Sequence, residues 1–257
     1  MKIVVCVKQV PDSAATVTVD GGKVSWGDAP LVINPWDEYA VEAALQLTEA
    51  QGGDVVAVSM GDDAAKEALK HSLAMGCSEA ILVKDAAFAG LDSTGVARVL
   101  AAAVGKVGDA DLVIFGKQAI DSDTGVTAAM AARVLGWPAL TLLSKIDEVS
   151  GGSIKAERAM EESRQMVESK LPAVLSIVKD YAEPRYPSFM GIRKASKAEI
   201  PEWTAADLGI DAPKAVVSWP ELMAPPAREI TNEIIEGDSA AEKAEKLADK
   251  ILAEKVL

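Results

Sequence analysis

The stretch that decides the fold runs Leu112-Val113-Ile114-Phe115, then Gly116-Lys117-Gln118-Ala119-Ile120-Asp121-Ser122-Asp123-Thr124-Gly125, then Val126 and the segment Thr127–Leu135. The first four residues are apolar and strand-prone, which predicts a buried strand, and the last segment carries apolar residues at helical spacing. Between them lies a polar loop bounded by glycines. A loop that leaves a strand and opens a helix gathers free backbone N–H groups at one point, which is where phosphates bind at the carboxyl edge of open α/β sheets. Two uses of this loop stay open from its chemistry alone. Asp121 and Asp123 repel a phosphate, whereas Thr124, Gly125, Val126 and Thr127 offer hydroxyls and amides. One arrangement puts Asp123 near the helix N-cap, complementing the helix dipole, with a phosphate over the amides of 124–127. In the other, Asp121-Ser122-Asp123-Thr124 merely caps the helix.

Outward from that stretch, strands and helices alternate. Strands are expected at 3–7, 54–60 and 80–83, and helices at 36–50, 64–75 and 92–106. Short apolar strands joined by single helices pair in parallel with right-handed crossovers and helices on both faces. The fold class is therefore α/β, a doubly wound and mainly parallel Rossmann-like sheet. Asp20-Gly21-Gly22 centres an inserted hairpin over 16–26, and Gly52-Gly53 closes the first long helix. After residue 140 the pattern turns antiparallel, with a hairpin around Gly151-Gly152, a strand at 166–170 and an apolar strand at 173–179. From about residue 200 the chain is rich in Pro, Trp and charge, with no strong core pattern until a last helix striped by Leu247, Ile251 and Val256. The expected division is a nucleotide-binding body over 1–200 and an arm over 201–257.

Composition narrows the function. Of 257 residues, 49% are hydrophobic and only 4% aromatic, so the core is built from Val, Ile, Leu and Ala. A formal charge of −13 argues against non-specific nucleic-acid or anionic-membrane binding. No apolar run approaches the roughly 20 residues of a bilayer span, and the opening residues read as a first strand and not as a signal peptide. Two cysteines (Cys6 and Cys77) and one histidine (His71) leave no disulfide framework, metal cluster or His-based catalytic arrangement. His71 is expected on a solvated or satisfied helix face. No G-x-G-x-x-G follows the first strand and no G-x-x-x-x-G-K-[ST] occurs anywhere, which excludes an ordinary nicotinamide dehydrogenase and a P-loop enzyme. A cytoplasmic, cofactor-binding protein without its own metal chemistry remains.

Three further segments are candidates. Lys8-Gln9-Val10-Pro11-Asp12 leaves the first strand toward the same sheet edge. Asn34-Pro35-Trp36-Asp37-Glu38 opens a helix with Pro and acids in its first turn. Glu183-Pro184-Arg185-Tyr186-Pro187-Ser188-Phe189-Met190 is Pro-bounded and aromatic, and reads either as a docking loop or as a proline-stiffened crossover.

Taken together, Val7 to Asp12, Asn34 to Glu38, Ala74-Met75-Gly76, Gly116 to Asp121, Lys170-Leu171-Pro172-Ala173 and Glu183 to Pro187 resemble the β subunit of electron-transfer flavoproteins, in that family's order and over nearly the whole chain. The resemblance implies an adenine nucleotide α-hydrolase-like fold and a heterodimer whose α subunit holds the redox-active FAD. It implies a β-site nucleotide, AMP in the ordinary type, lined by Cys6, Asn34, Pro35, Trp36, Asp37, Met60 and the loop Gly116, Lys117, Gln118, Ala119, Ile120, Asp121, Ser122, Asp123, Thr124, Gly125, Val126 and Thr127. Ser13 and Trp36 stand where family members face the α-subunit flavin. Phe189 occupies the position of the anchor that enters a dehydrogenase, with Glu183, Pro184, Arg185, Tyr186, Pro187 and Met190 around it. Implied partners are the α subunit, flavin-dependent dehydrogenases such as acyl-CoA dehydrogenases, and a quinone oxidoreductase or other acceptor. No catalytic residue is implied. Electron-bifurcating members carry a second FAD in the β site and oxidise NADH. Phe88-Ala89-Gly90, Asp123-Thr124 and Ile200-Pro201-Glu202-Trp203-Thr204-Ala205 resemble that branch, whereas Gly125-Val126-Thr127-Ala128-Ala129 departs from its pattern and Thr127 matches the AMP type.

Overall fold

The computed structural model describes residues 1–226 and 232–255, which form two compact units, Met1–Leu222 and Met223–Leu257. In the first unit, β1 (Lys2–Cys6) is followed by β2 (Gln9–Pro11), the hairpin β3 (Thr18–Asp20) and β4 (Lys23–Ser25), and β5 (Leu31–Ile33). Helix α1 (Pro35–Gln51) leads to β6 (Asp54–Met60), α2 (Lys66–Met75) to β7 (Glu79–Val83), and α3 (Ser93–Val107) to β8 (Leu112–Gly116). Helix α4 (Thr127–Leu135) precedes β9 (Ala139–Ser150), β10 (Ser153–Ala159), β11 (Arg164–Lys170) and β12 (Ala173–Ile177). The unit closes with α5 (Phe189–Ala195), β13 (Glu202–Trp203) and α6 (Ala205–Leu208).

Nine strands form one sheet in the order β11-β10-β9-β12-β8-β1-β6-β7-β13. Every pair from β9 to β13 is parallel, and β9-β10-β11 add an antiparallel edge. The doubly wound α/β expectation holds. Central strands of such a sheet are covered on both faces, which is why β8 reads as a continuous apolar run and is buried from end to end. Alternation then splits the core in two. Ile3 and Val5 pack with α1 and α2, while Val4 and Cys6 pack with α3 and α4. Each large apolar side chain so buried contributes about 1.5–3 kcal/mol.

The chain winds one way from β1 to β6 and β7, and the other way from β1 to β8 and β12. The switch therefore falls between β1 and β8, and loops leaving their carboxyl ends must diverge and open a crevice.

Three features lie outside the sequence expectations. A two-residue strand, β13, extends the main sheet beyond residue 200, held by Leu82 N–H to Pro201 O and Lys84 N–H to Trp203 O, both 2.9 Å. Its Trp203 packs into the α3 side of the core with Lys106 Nζ 5.0 Å above its ring. Such a strand is set by the vacant edge of β7, not by any local pattern. The expected proline-rich loop over 183–190 ends in a helix, since Phe189 and Met190 form the first turn of α5. Gly191 lets α5 approach α2, because a Cβ there would lie 2.3 Å from Ala74 O. Finally, Asp123 is not the N-cap of α4, as the site geometry shows.

In the second unit, α7 (Ala240–Ala253) starts at Ser239, whose Oγ accepts from Glu242 N–H at 3.2 Å. Its Leu247 and Ile251 are exposed, and Val256 of the expected stripe lies outside the described residues.

Candidate functional site

The crevice at the switch point is a cavity of about 710 Å³. Its floor is Cys6 from β1, Met60 from β6 and Phe115 and Gly116 from β8. One wall is the loop after β8 with the first turn of α4, and the opposite wall is Gly90–Val96 at the start of α3. A third wall, from Ala215 to Leu222, comes from far along the chain. Its location follows from the winding. Its shape follows from side chains that tie the loop down.

Asn34 is fully buried, and its amide grips the loop twice: Nδ2 donates to Gln118 O at 2.9 Å and Oδ1 accepts from Ile120 N–H at 3.1 Å. A buried loop backbone needs such partners, because each orphaned polar group costs about 1–3 kcal/mol. The two acids that trouble a phosphate are both turned to other tasks. Asp121 pairs with Lys8, Oδ2 to Nζ at 2.6 Å. Asp123 takes a left-handed backbone (φ 50°) after a turn closed by its N–H to Ala119 O at 2.8 Å. That turn swings its carboxylate back, and Oδ1 accepts from Gln118 Nε2 at 2.7 Å. Val126 stands at the N-cap of α4, which has no side-chain cap. The first-turn amides are thus unclaimed by side chains, and the helix dipole places partial positive charge there.

Asp37 joins the floor together. Its Oδ2 accepts from Lys8 N–H at 2.8 Å, and the nearby Asn34 side chain and Gly116 N–H also favour the charged carboxylate. Burial pushes its pKa up to about 7, against the pull of those hydrogen bonds and of Lys8. Gly116 has no room for a side chain, since a Cβ would sit 2.5 Å from Asp37 Oδ1 and 2.6 Å from the Trp36 backbone. The end of β8 and the start of α1 touch there. Burial, with the Asp37 charge, also pushes the Cys6 thiol up, so it is neutral.

Of the residues expected at a nucleotide, Cys6, Asp37, Met60, Gly116, Lys117, Gln118, Ala119, Ser122, Thr124, Gly125, Val126 and Thr127 line this cavity. Asn34, Pro35, Trp36, Ile120, Asp121 and Asp123 do not, and Asn34, Asp121 and Asp123 shape the loop from behind. Trp36 lies below Lys117, whose Nζ is 5.2 Å from its ring centroid. Ser13 is exposed in the turn after β2, away from the cavity. The start of α3 and the wall from Ala215 to Leu222 were not expected. Asp92 carries the only local signal, an Asp before a helix, and that signal names a cap and not a wall.

Beyond the carboxyl end of the neighbouring strand β12, Tyr186 and Phe189 are 90% and 80% exposed, and Met190 is exposed as well. Arg185 is turned inward instead. Its Nε is 2.8 Å from Glu42 Oε2 on α1, and its Nη1 is 2.5 Å from Glu49 Oε1. Burial pushes the Glu42 carboxyl up, but hydrogen bonds from Arg185 and Gln46 outweigh it and hold the carboxyl below the usual range. Glu183 is exposed, and Pro184 and Pro187 are half-buried. His71 is half-buried on α2, its Nε2 2.9 Å from Glu38 Oε1 but without a hydrogen bond to it, so the expectation of a satisfied face is not met at that atom.

Among the described residues no group of three His, Cys, Asp or Glu is placed to hold a metal ion, and no helix is long and apolar enough to cross a membrane. The family model described as "Electron transfer flavoprotein domain" matches residues 27–208. The chain is 41% identical to the electron transfer flavoprotein subunit beta of Clostridium acetobutylicum, over 82% of this chain and 81% of that one. It is 34% identical to the corresponding subunit of Megasphaera elsdenii over the full length of both. It is 37% identical to the caffeyl-CoA reductase-Etf complex subunit CarD of Acetobacterium woodii, over 82% of this chain and 80% of that one.

Proposed function

The chain belongs to the electron transfer flavoprotein β-subunit family, and on that premise we propose that it binds an adenine nucleotide in the switch-point cavity and pairs with an α subunit that carries FAD. The observation that carries this is the neutralised loop: Asp121 and Asp123 are engaged by Lys8 and Gln118 while Thr124 to Thr127 line the cavity beside a helix start without a side-chain cap. The residues fit a phosphate. Thr124, Gly125, Val126 and Thr127 would hold it, and the apolar floor of Cys6, Met60 and Phe115 would take a flat ring. A bound flavin supplies electron transfer, whereas AMP supplies structure alone.

The chain's own work is to bind, to orient and to exclude water. Ser13 and Trp36 form the face toward the α-subunit flavin, and of the expected arm the part that packs on that subunit is the second unit, with α7 last. Tyr186, Phe189 and Met190 dock a flavin-dependent dehydrogenase, acyl-CoA dehydrogenases being the model case. Electrons then pass to a quinone oxidoreductase or another acceptor, in the cytoplasm.

A second reading is favoured by size. About 710 Å³ lies in the upper half of the range for small-molecule sites and leaves room for a dinucleotide. In that case the β site holds a second FAD, and the complex oxidises NADH and bifurcates electrons.

The test is to denature the purified heterodimer and count what is released. One FAD and one AMP establish the ordinary type. Two FAD and no AMP establish the second. One FAD with no second nucleotide overturns the cavity assignment.

A further inference from the structure

The third wall of the cavity is a strap without regular structure. Ala215, Val217, Ser218, Trp219 and Leu222 line the cavity from residues far from every other wall. Apolar packing does not hold it, because Val216 and Val217 are exposed and Trp219 is 77% exposed. Among the described residues, the hydrogen bonds that tie 213–222 to the body are two, and both end on one oxygen. Asp92 Oδ2 accepts from Val216 N–H at 2.9 Å and from Val217 N–H at 3.0 Å. The other oxygen, Oδ1, caps α3 by accepting from Gly95 N–H at 2.8 Å. Backbone N–H groups hold the Asp92 carboxyl below the usual range, so it is ionised at neutral pH and the bonds are charge-assisted.

We propose that Asp92 is a positioning residue that latches the 213–222 strap over the cavity mouth, so that the latch sets how fast a bound nucleotide leaves. The proposal rests on the nucleotide assignment above. Its physical basis is the division of labour between the two oxygens. One fastens the rim helix, and the other fastens the cover to that rim. Binding and release then require only that two hydrogen bonds open, with the Rossmann-like body unchanged. A short, exposed segment with few contacts opens more readily than the sheet it covers.

The two oxygens also make the latch separable from the fold. In Asp92→Asn the amide oxygen can still cap α3, since Asn caps as well as Asp. The amide NH2 then faces the Val216 and Val217 N–H groups, donor against donor. In Asp92→Ala both cap and latch are lost. The experiment uses the full chain with its α subunit. It measures deuterium exchange at the Val216 and Val217 amides, the thermal midpoint, and association and dissociation of AMP and of FAD. Expected are protected amides in the wild type and loss of that protection in both variants. Dissociation should quicken roughly tenfold in both, the loss of about one charge-assisted hydrogen bond, with association not slowed. The thermal midpoint should fall only in Asp92→Ala. Freed amides with unchanged dissociation overturn the latch, and so do amides unaffected by Asp92→Asn. If neither AMP nor FAD binds the wild type, the nucleotide assignment fails by itself. Exchange at the two amides then decides whether Asp92 fastens the strap.

Discussion

Strands β8 and β12 lie side by side and parallel, with Gly116 opposite Ile177, so the loops that leave them start from one edge of the sheet. The first loop is turned inward. Asn34 holds its backbone at two points, Lys8 holds Asp121, and Gln118 holds Asp123. The second is fastened at its base, where Arg185 grips Glu42 and Glu49, and its tip shows Tyr186, Phe189 and Met190 to solvent. Both loops are polar and Gly- or Pro-bounded in sequence. What separates them is where the hydrogen bonds fall. A loop bonded along its length becomes a wall, and a loop bonded only at its foot becomes a handle.

The largest expected effect probes the floor of the inward loop. Asp37 has a pKa of about 7 in the fold against an ordinary value of 3.8. Its contribution to stability is fully present below pH 3.8 and is lost as pH rises to about 7, a change of about 4 kcal/mol. Denaturant titrations between pH 4 and 8 should show that slope in the wild type and a flatter one in Asp37→Asn. Equal slopes would place the charge elsewhere. Gly116→Ala comes next. Its Cβ meets the Trp36 backbone, which cannot give way as a flexible side chain can, so about 3 kcal/mol of destabilisation is expected.

Asn34→Ala should cost about 2 kcal/mol by removing two hydrogen bonds, and should empty the β site while partner kinetics per bound flavin stay unchanged. Arg185→Ala is its counterpart on the other loop. Leaving Glu42 buried without its cation should cost a similar amount, about 2 kcal/mol, yet keep the nucleotide count. If both variants lose nucleotide equally, the contrast between wall and handle fails. The smallest effect on stability belongs to Phe189→Ala, under about 0.5 kcal/mol for an exposed side chain. Its apparent Michaelis constant for the dehydrogenase should nevertheless rise, with bound flavin unchanged. Unaltered partner kinetics would remove Phe189 from docking.

The sequence by itself determined the alternation of strands and helices, because the run Leu112 to Phe115 and the spacing in Thr127–Leu135 are local consequences of which faces are buried. It marked the edge of the sheet where the site lies, since the loop after 112–115 opens a helix. The strand order that puts the switch point between β1 and β8 came from the fold. Even the antiparallel edge was legible, through Gly151-Gly152. Tertiary structure alone decided what closes the site. Asn34 reaches Gln118 across 84 residues, and Asp92 reaches Val216 across 124. Neither partner carries a local mark of the other, because a single amide or carboxylate has no period to betray its target. For the same reason Asp123, read locally as a helix cap, holds Gln118 instead, and the Pro201 to Trp203 segment becomes a strand only where β7 offers an open edge. Periodicity reports which face of an element is buried, whereas long-range hydrogen bonds depend on where the elements have already been brought.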